Sequence, residues 1–290
     1  MILQQTLNAL QLGSIYALIA LGYTMVYGVL RLINFAHGDI FMIGSYAALF
    51  LAAFFHFPLV VILPLTFGAI GLLGMSIERL AYRPLRSAPR VSAVITALAV
   101  GIFLETIMLA TVGPEPRKFP SLIDLHLYKI GTFTASNIQI MIIAASIALM
   151  VGLEIFVAKT RTGMAMRALS WDKTYAPLLG INIDRIISLT FVIGTGLAAV
   201  AGIFVGLAYP VIDPYMGIMV GWKAFVSAVI GGIGSIKGAV AGGFLLGIVE
   251  ILAAAFLPST YKDMICFGLL LIILIIKPSG LFGMPVQKKV

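Results

Sequence analysis

Apolar runs about as long as a bilayer is thick follow one another along almost the whole chain, and that succession decides what it can fold into. They cover 6–29, 35–55, 58–77, 91–112, 137–157, 186–208, 238–257 and 262–277, where a membrane-crossing helix needs about 20 apolar residues. A ninth stretch, 219–236, is apolar but contains Lys223, breaks up into glycines and is followed by Lys237. It reads either as a crossing or as a segment that enters and returns. In hydrocarbon every backbone polar group needs an internal partner, and the alternating pattern of a membrane β-barrel is absent from this sequence. The expected fold class is therefore all-α: a polytopic membrane helical bundle of eight or nine spans, one or more of them broken or re-entrant, built as a single domain over 1–290. Only 10% of the residues are charged, against about 25% in soluble domains, which excludes a soluble protein with a large core.

The basic residues lie in the short connections. Loop 78–90 carries Arg79, Arg83, Arg86 and Arg90 against one glutamate; loop 158–185 carries Lys159, Arg161, Arg167, Lys173 and Arg185; the tail carries Lys277, Lys288 and Lys289. The positive-inside tendency places all three in the cytoplasm. Loop 113–136, of mixed charge, falls outside by alternation. Counting from these loops puts the N-terminus outside and the C-terminus in the cytoplasm, and that parity favours a crossing by 219–236. The net charge of +8 is accounted for by orientation, so no nucleic-acid partner is expected. The first run lacks the basic start of a signal peptide and is too long for one, so it reads as a retained span.

Enzymatic motifs are missing. GGIGSIKGA (231–239) superficially resembles a phosphate loop, but its lysine precedes the glycine and no hydroxyl residue follows. Its glycines suit helix breaking or close packing. Glycine pairs four apart, 202/206, 217/221, 238/242 and 243/247, place small residues on one helix face. They serve packing within the bundle or a subunit interface. Cys266, the single cysteine, reads as a small buried apolar residue. No metal-ligand spacing appears.

Several charged or polar positions call for an explanation. Glu105 lies well inside run 91–112, where a bare charge is costly; it reads as a wall of a polar pathway or as a structural tie between helices. Glu154 and Glu250 sit near span ends, within reach of headgroups or water. The stretch RLINFAHGDIFMIG (31–44) places Arg31, Asn34, His37 and Asp39 between two apolar runs. Arg31 suits a cytoplasmic boundary. Asn34, His37 and Asp39 have two open readings. In one, Asn34 caps the next helix and Asp39 favours its dipole. In the other, they line a solute path at a break in the helices. Loop 158–185 is long enough to fold: a helix over MAMRALSWDKTYAPLL is expected, with Thr160 or Thr162 as N-cap, Pro177 limiting it and Gly180 ending it. Such a helix lies on lipid or docks into a partner.

Three stretches carry a resemblance to a known family: NALQLGSIYALIALGYTMVYGVLRLINFAHGDIFMIGSYAALFLA, ALSWDKTYAPLLGINIDRIISLTFVIGTGLAAVAGIFVG and VIGGIGSIKGAVAGGFLLGIVE. They resemble the permease subunits of bacterial branched-chain amino acid ABC importers, the shorter of the two homologous permeases most closely. The resemblance implies an inner-membrane permease that is not itself an enzyme and works by alternating access. It implies a second homologous permease, two cytoplasmic ATPase subunits holding ATP and magnesium, and a periplasmic solute-binding protein as partners. No cofactor is implied in this chain. It also implies that loop 158–185 couples to the ATPases through Arg167, Ala168, Trp171, Asp172 and Gly180. The generic signature of that segment begins Glu-Ala-Ala, whereas this chain has Arg167-Ala168-Leu169, so the acidic residue is missing. Related permeases carry urea, short amides or other amino acids. An ion-coupled transporter acting alone is the contrasting reading, to which Glu105 and broken helices also fit.

Overall fold

The computed structural model describes residues 2–130 and 133–283. Its helices are α1 (Ile2–Leu30), α2 (His37–Phe55), α3 (Leu59–Ile77), α4 (Arg90–Val112), α5 (Asn137–Lys159), α6 (Arg161–Trp171), α7 (Ile183–Ala208), α8 (Met216–Gly231), α9 (Ile236–Phe256) and α10 (Tyr261–Ile276). Seven of them, α1 to α5, α7 and α9, are long and apolar enough to cross a bilayer. Helices α8 and α10 have 16 residues each, about 24 Å at 1.5 Å per residue and short of the ~30 Å hydrocarbon thickness. The expected full span at 262–277 is thus a shorter helix, and 219–236 becomes α8 plus a turn. The reason for the short α8 is its starting point. It begins not at the bundle surface but against the N-terminus of α2, where Gly217 and Gly221 meet Gly38.

Helix α1 is the hub, packed against α5, α7, α8 and α9. Glycines permit the closest of these approaches. A Cβ added at Gly243 or Gly247 of α9 would stand 2.5 Å from the backbone of Ala17 or Gly13 of α1. Gly238 and Gly242 likewise meet Gly231 and Ser227 of α8, and Gly202 meets Phe41 and Ser45 of α2. Of the two readings offered for the glycine pairs, the structure realises packing inside the chain. The GGIGSIKGA segment forms the α8–α9 turn: Gly232 and Gly234 take φ of 105° and 95°, a region glycine enters without strain. Ser235 then caps α9 by accepting the Gly238 N–H at 3.1 Å.

The loops sort to two ends. At one end, Arg83 and Arg86 both pair with Asp184, and Arg86 also pairs with Glu78. Glu78 is fully buried in a π-helical turn (Glu78–Tyr82) extending α3, and the Ser188 hydroxyl donates to it at 2.7 Å. The one acid of this basic loop therefore anchors it to α7. Loop 158–185 and the chain following α10 lie at the same end, where Gly280 packs on Gly232. Lys288 and Lys289 of the expected cytoplasmic tail lie outside the described residues. At the other end, Leu127–Ile130 pairs antiparallel with Phe133–Ser136, and Arg117–Lys118 pairs with Val211–Ile212. Ser136 and Gln139 form a reciprocal capping box that starts α5.

Glu250 corrects its sequence reading. It does not reach headgroups or water but is 6% exposed, accepting from Lys223 Nζ at 2.6 Å and from the Tyr16 hydroxyl at 2.8 Å. Lys223 also pairs with Asp263 at 2.7 Å. The short helices α8 and α10 bring these partners to it, forming a hydrogen-bonded ion cluster that ties α1, α8, α9 and α10 together.

Candidate functional site

The polar stretch 31–44 occupies a break between α1 and α2. Arg31 takes φ +59°, a left-handed conformation that turns the chain at the end of α1. Residues 32–34 are irregular and 35–36 form a turn before α2 begins at His37. His37 does not start at the bundle surface. A Cβ at Gly22 would meet its Nε2 at 2.3 Å, and Gly22 lies eight residues before α1 ends at Leu30, about 12 Å along the axis. The chain therefore re-enters the bundle before it becomes helical again, which suits a non-helical segment enclosed by protein.

Each polar residue of the break has a distinct place. Asn34 is not a cap: the N-cap of α2 is Ala36, with no side-chain cap bond. Instead, buried Asn34 accepts the Tyr82 hydroxyl at 2.8 Å, pinning the break to the turn after α3. Tyr82 satisfies the amide oxygen more directly than the free N–H groups of α2 do, and this partner, 48 residues away in sequence, is why capping fails. His37 is fully buried, its ring centroid 4.6 Å from that of Tyr23. Asp39 sits in the first turn of α2, as its dipole reading expects, and also lines a cleft of about 210 Å³.

That cleft lies between α4 and α8, with α1 and α2 behind it. Leu98, Gly101, Ile102 and Glu105 present one face of α4; Gly217, Ile218, Gly221 and Trp222 come from α8; Tyr23 and Phe35 complete it beside Gly38 and Asp39. The structure thus brings Asp39 and Glu105 together and leaves Asn34 and His37 outside the lining. Gly101 makes the pairing possible, since a Cβ there would stand 2.4 Å from Asp39 Oδ2. Composition did not reveal Tyr23, Gly101 or Trp222. The only sequence sign of Gly101 is its spacing, four residues before Glu105 on the same helix face.

The second candidate region is loop 158–185. Thr160 caps α6 by accepting the Gly163 N–H at 3.0 Å. The helix ends at Trp171, earlier than the expected single helix, and a 3-10 turn (Ala176–Leu179) follows with Gly180 at φ +74°. Asp172 divides the two pieces, because its carboxylate accepts the Thr174 N–H at 2.7 Å and nucleates a turn. Gly163, Met166 and Leu169 face the bundle. Arg167 donates to the Val157 carbonyl, and Ala168 is half-buried. Trp171, Tyr175, Leu178 and Leu179 project outward, Trp171 82% exposed. Two hydrogen bonds join this loop to the end of α1: Arg31 Nη2 donates to the Ser170 carbonyl at 3.1 Å, and Lys173 Nζ to the Leu30 carbonyl at 2.7 Å.

Comparison with known proteins bears on the whole chain. Residues 5–274 match the family model described as branched-chain amino acid transport system, permease component. The high-affinity branched-chain amino acid transport system permease protein LivH of Salmonella typhimurium is 46% identical over 99% of this chain and 97% of its own length. LivH of Escherichia coli K12 is 45% identical over the same shares. The corresponding protein BraD of Pseudomonas aeruginosa is 43% identical over 99% of this chain and 98% of its own. A helical bundle with seven bilayer-length apolar helices, matched from end to end by these relatives, belongs to the permease family of branched-chain amino acid transport systems.

Proposed function

We propose that this chain is the membrane-spanning subunit of an ATP-driven importer of branched-chain amino acids in the bacterial inner membrane. In this reading a second homologous permease, two cytoplasmic ATPases with their ATP and magnesium, and a periplasmic binding protein complete the machine. The chain carries no phosphate loop, which agrees with hydrolysis on a separate subunit. The basic end, with loops 78–90 and 158–185, faces the cytoplasm, so α1 starts outside and the chain finishes inside.

Solute passes along the cleft between α4 and α8, which opens on the flank of this chain. A carboxylate pair at that depth does not face lipid at acceptable cost, so the second permease closes the other side of the route. Kinship supports the transport system; one structural observation carries the coupling. Trp171, Tyr175, Leu178 and Leu179 form an outward apolar surface at the basic end, and the loop bearing it is hydrogen-bonded to the end of α1. An ATPase groove that takes up this surface pulls on Leu30 and Arg31. That pull passes through the break at 31–36 to α2 and so to Asp39, and alternating access follows from moving α2 against α4 and α8.

The test is uptake by the whole importer in vesicles. Trp171→Ala removes the largest exposed anchor, and Gly180→Arg strains a left-handed position while adding bulk to the same surface. Both are expected to lower ATP-driven uptake and to uncouple its stimulation of hydrolysis in protein that is normally folded. Unchanged uptake and unchanged hydrolysis in both variants would sink the coupling assignment.

A further inference from the structure

We infer that Asp39 and Glu105 together form the site that reads the substrate's ammonium group, so that this permease selects for a free amine independently of any binding protein. The inference rests on the proposed route through the α4–α8 cleft and assigns its chemistry.

Three observations carry it. First, Asp39 is only 9% exposed, yet among the described residues no lysine, arginine or histidine pairs with it. Every other strongly buried acid has such a partner: Glu78 has Arg86, and Glu250 has Lys223. A buried carboxylate without a cation is costly, and this one lines a cavity. Second, glycines set the carboxylate against the wall that carries Glu105. A Cβ at Gly101 would stand 2.4 Å from Oδ2, so Asp39 sits close on the α4 face that also presents Glu105, and Gly38, Gly217 and Gly221 let the backbones of α2 and α8 touch behind it. Third, the lining is acidic and apolar with no basic residue: Asp39 and Glu105 are its charges, Tyr23, Phe35 and Trp222 its aromatics, and Leu98, Ile102 and Ile218 its aliphatics.

An alkylammonium group has three donors and no acceptor. Two carboxylates satisfy those donors through charge-assisted bonds, aromatic faces add cation–π attraction, and the aliphatic side chains receive an apolar tail. The cleft of about 210 Å³ holds the equivalent of about seven waters, which suits a single small amino acid and is tight for a peptide. Neutral urea or an amide offers no cation to this pair.

The test uses the complete importer, reconstituted in vesicles, with labelled leucine. Asp39→Asn keeps the size and helix-start preference of the residue, so a purely structural role leaves uptake intact. Loss of the ammonium contact lowers uptake about tenfold or more while binding-protein-stimulated ATP hydrolysis continues. Glu105→Gln is expected to behave alike, and Asp39→Glu to retain most uptake. Should Asp39→Asn fail to fold, Glu105→Gln decides alone, because Glu105 is only half-buried. A plug separates this inference from the route beneath it. Ile218→Cys is labelled after folding with a bulky maleimide; native Cys266 is fully buried, and labelled wild-type protein serves as control. If the plug blocks uptake while both amide variants carry leucine at the wild-type rate, the route stands and the ammonium site is overturned. If the plugged protein transports normally, the cleft is not the route and both readings fall.

Discussion

Removing Lys223 tests whether the cluster at Glu250 holds the bundle together. Lys223→Met keeps the aliphatic length of the side chain and deletes its charge. Glu250 then remains 6% exposed with the Tyr16 hydroxyl as its close partner at 2.8 Å. The nearest remaining cation is Lys262, 3.9 Å away and half-buried, too distant for a good hydrogen bond. Breaking a buried pair from one side costs about 3–5 kcal/mol. Partial compensation by Lys262, and the access of Asp263 to water, put the expectation at the lower end, about 3 kcal/mol. For a chain of this size that lowers the thermal midpoint by about 6–12 °C, measured by circular dichroism on the purified chain in detergent. The double variant Lys223→Met/Glu250→Gln removes both charges and keeps a partner for Tyr16. It is expected to recover most of the loss, since a neutral replacement of a buried pair is often tolerated. A single variant melting within about 2 °C of wild type, or a double variant as unstable as the single, would show that the Lys223–Glu250 pair does not hold the bundle together.

Tyr82→Phe strips the donor from Asn34, leaving its amide oxygen buried without a partner at about 1–3 kcal/mol; a thermal midpoint equal to wild type contradicts the assignment of that bond as the pin of the break. Arg31→Ala combined with Lys173→Ala cuts both hydrogen bonds between loop 158–185 and α1. Vesicles carrying it are expected to hydrolyse ATP with much reduced leucine uptake, and wild-type uptake shows that the pull travels elsewhere. Gly243→Leu forces α1 and α9 apart, because even a Cβ there meets Ala17 at 2.5 Å; it is expected to abolish recovery of folded protein from membranes, and a normal yield contradicts the packing.

What the sequence made legible follows the range of the forces involved. Membrane spans depend on local apolar length, so most helices lie near the runs that announced them. The break at 31–36 is equally local, since Arg31 and Asn34 interrupt an otherwise apolar stretch. The partners of those polar residues are not local. Tyr82 reaches Asn34 across 48 residues, and Tyr16 reaches Glu250 across 234, with tyrosines that look unremarkable in their own runs. Lys223 was visible as a charge within an apolar stretch, but Glu250 read as a span-end charge in reach of water, and opposite sign was the available hint of a pair. The shortness of α8 was hidden because apolarity does not mark where a helix meets another helix end-on. In the coupling loop, the turn formed by Asp172 splits what helical propensity alone joins into one segment.

In the proposed function this chain carries branched-chain amino acids only as part of an ATP-driven assembly. The direct measurement is labelled leucine uptake into vesicles containing this chain, a second permease of the family, the ATPases and the binding protein, with and without ATP and with this chain omitted. Uptake is expected to require ATP and to disappear when the chain is left out. Uptake by this chain alone, driven by an ion gradient without ATP, would contradict it.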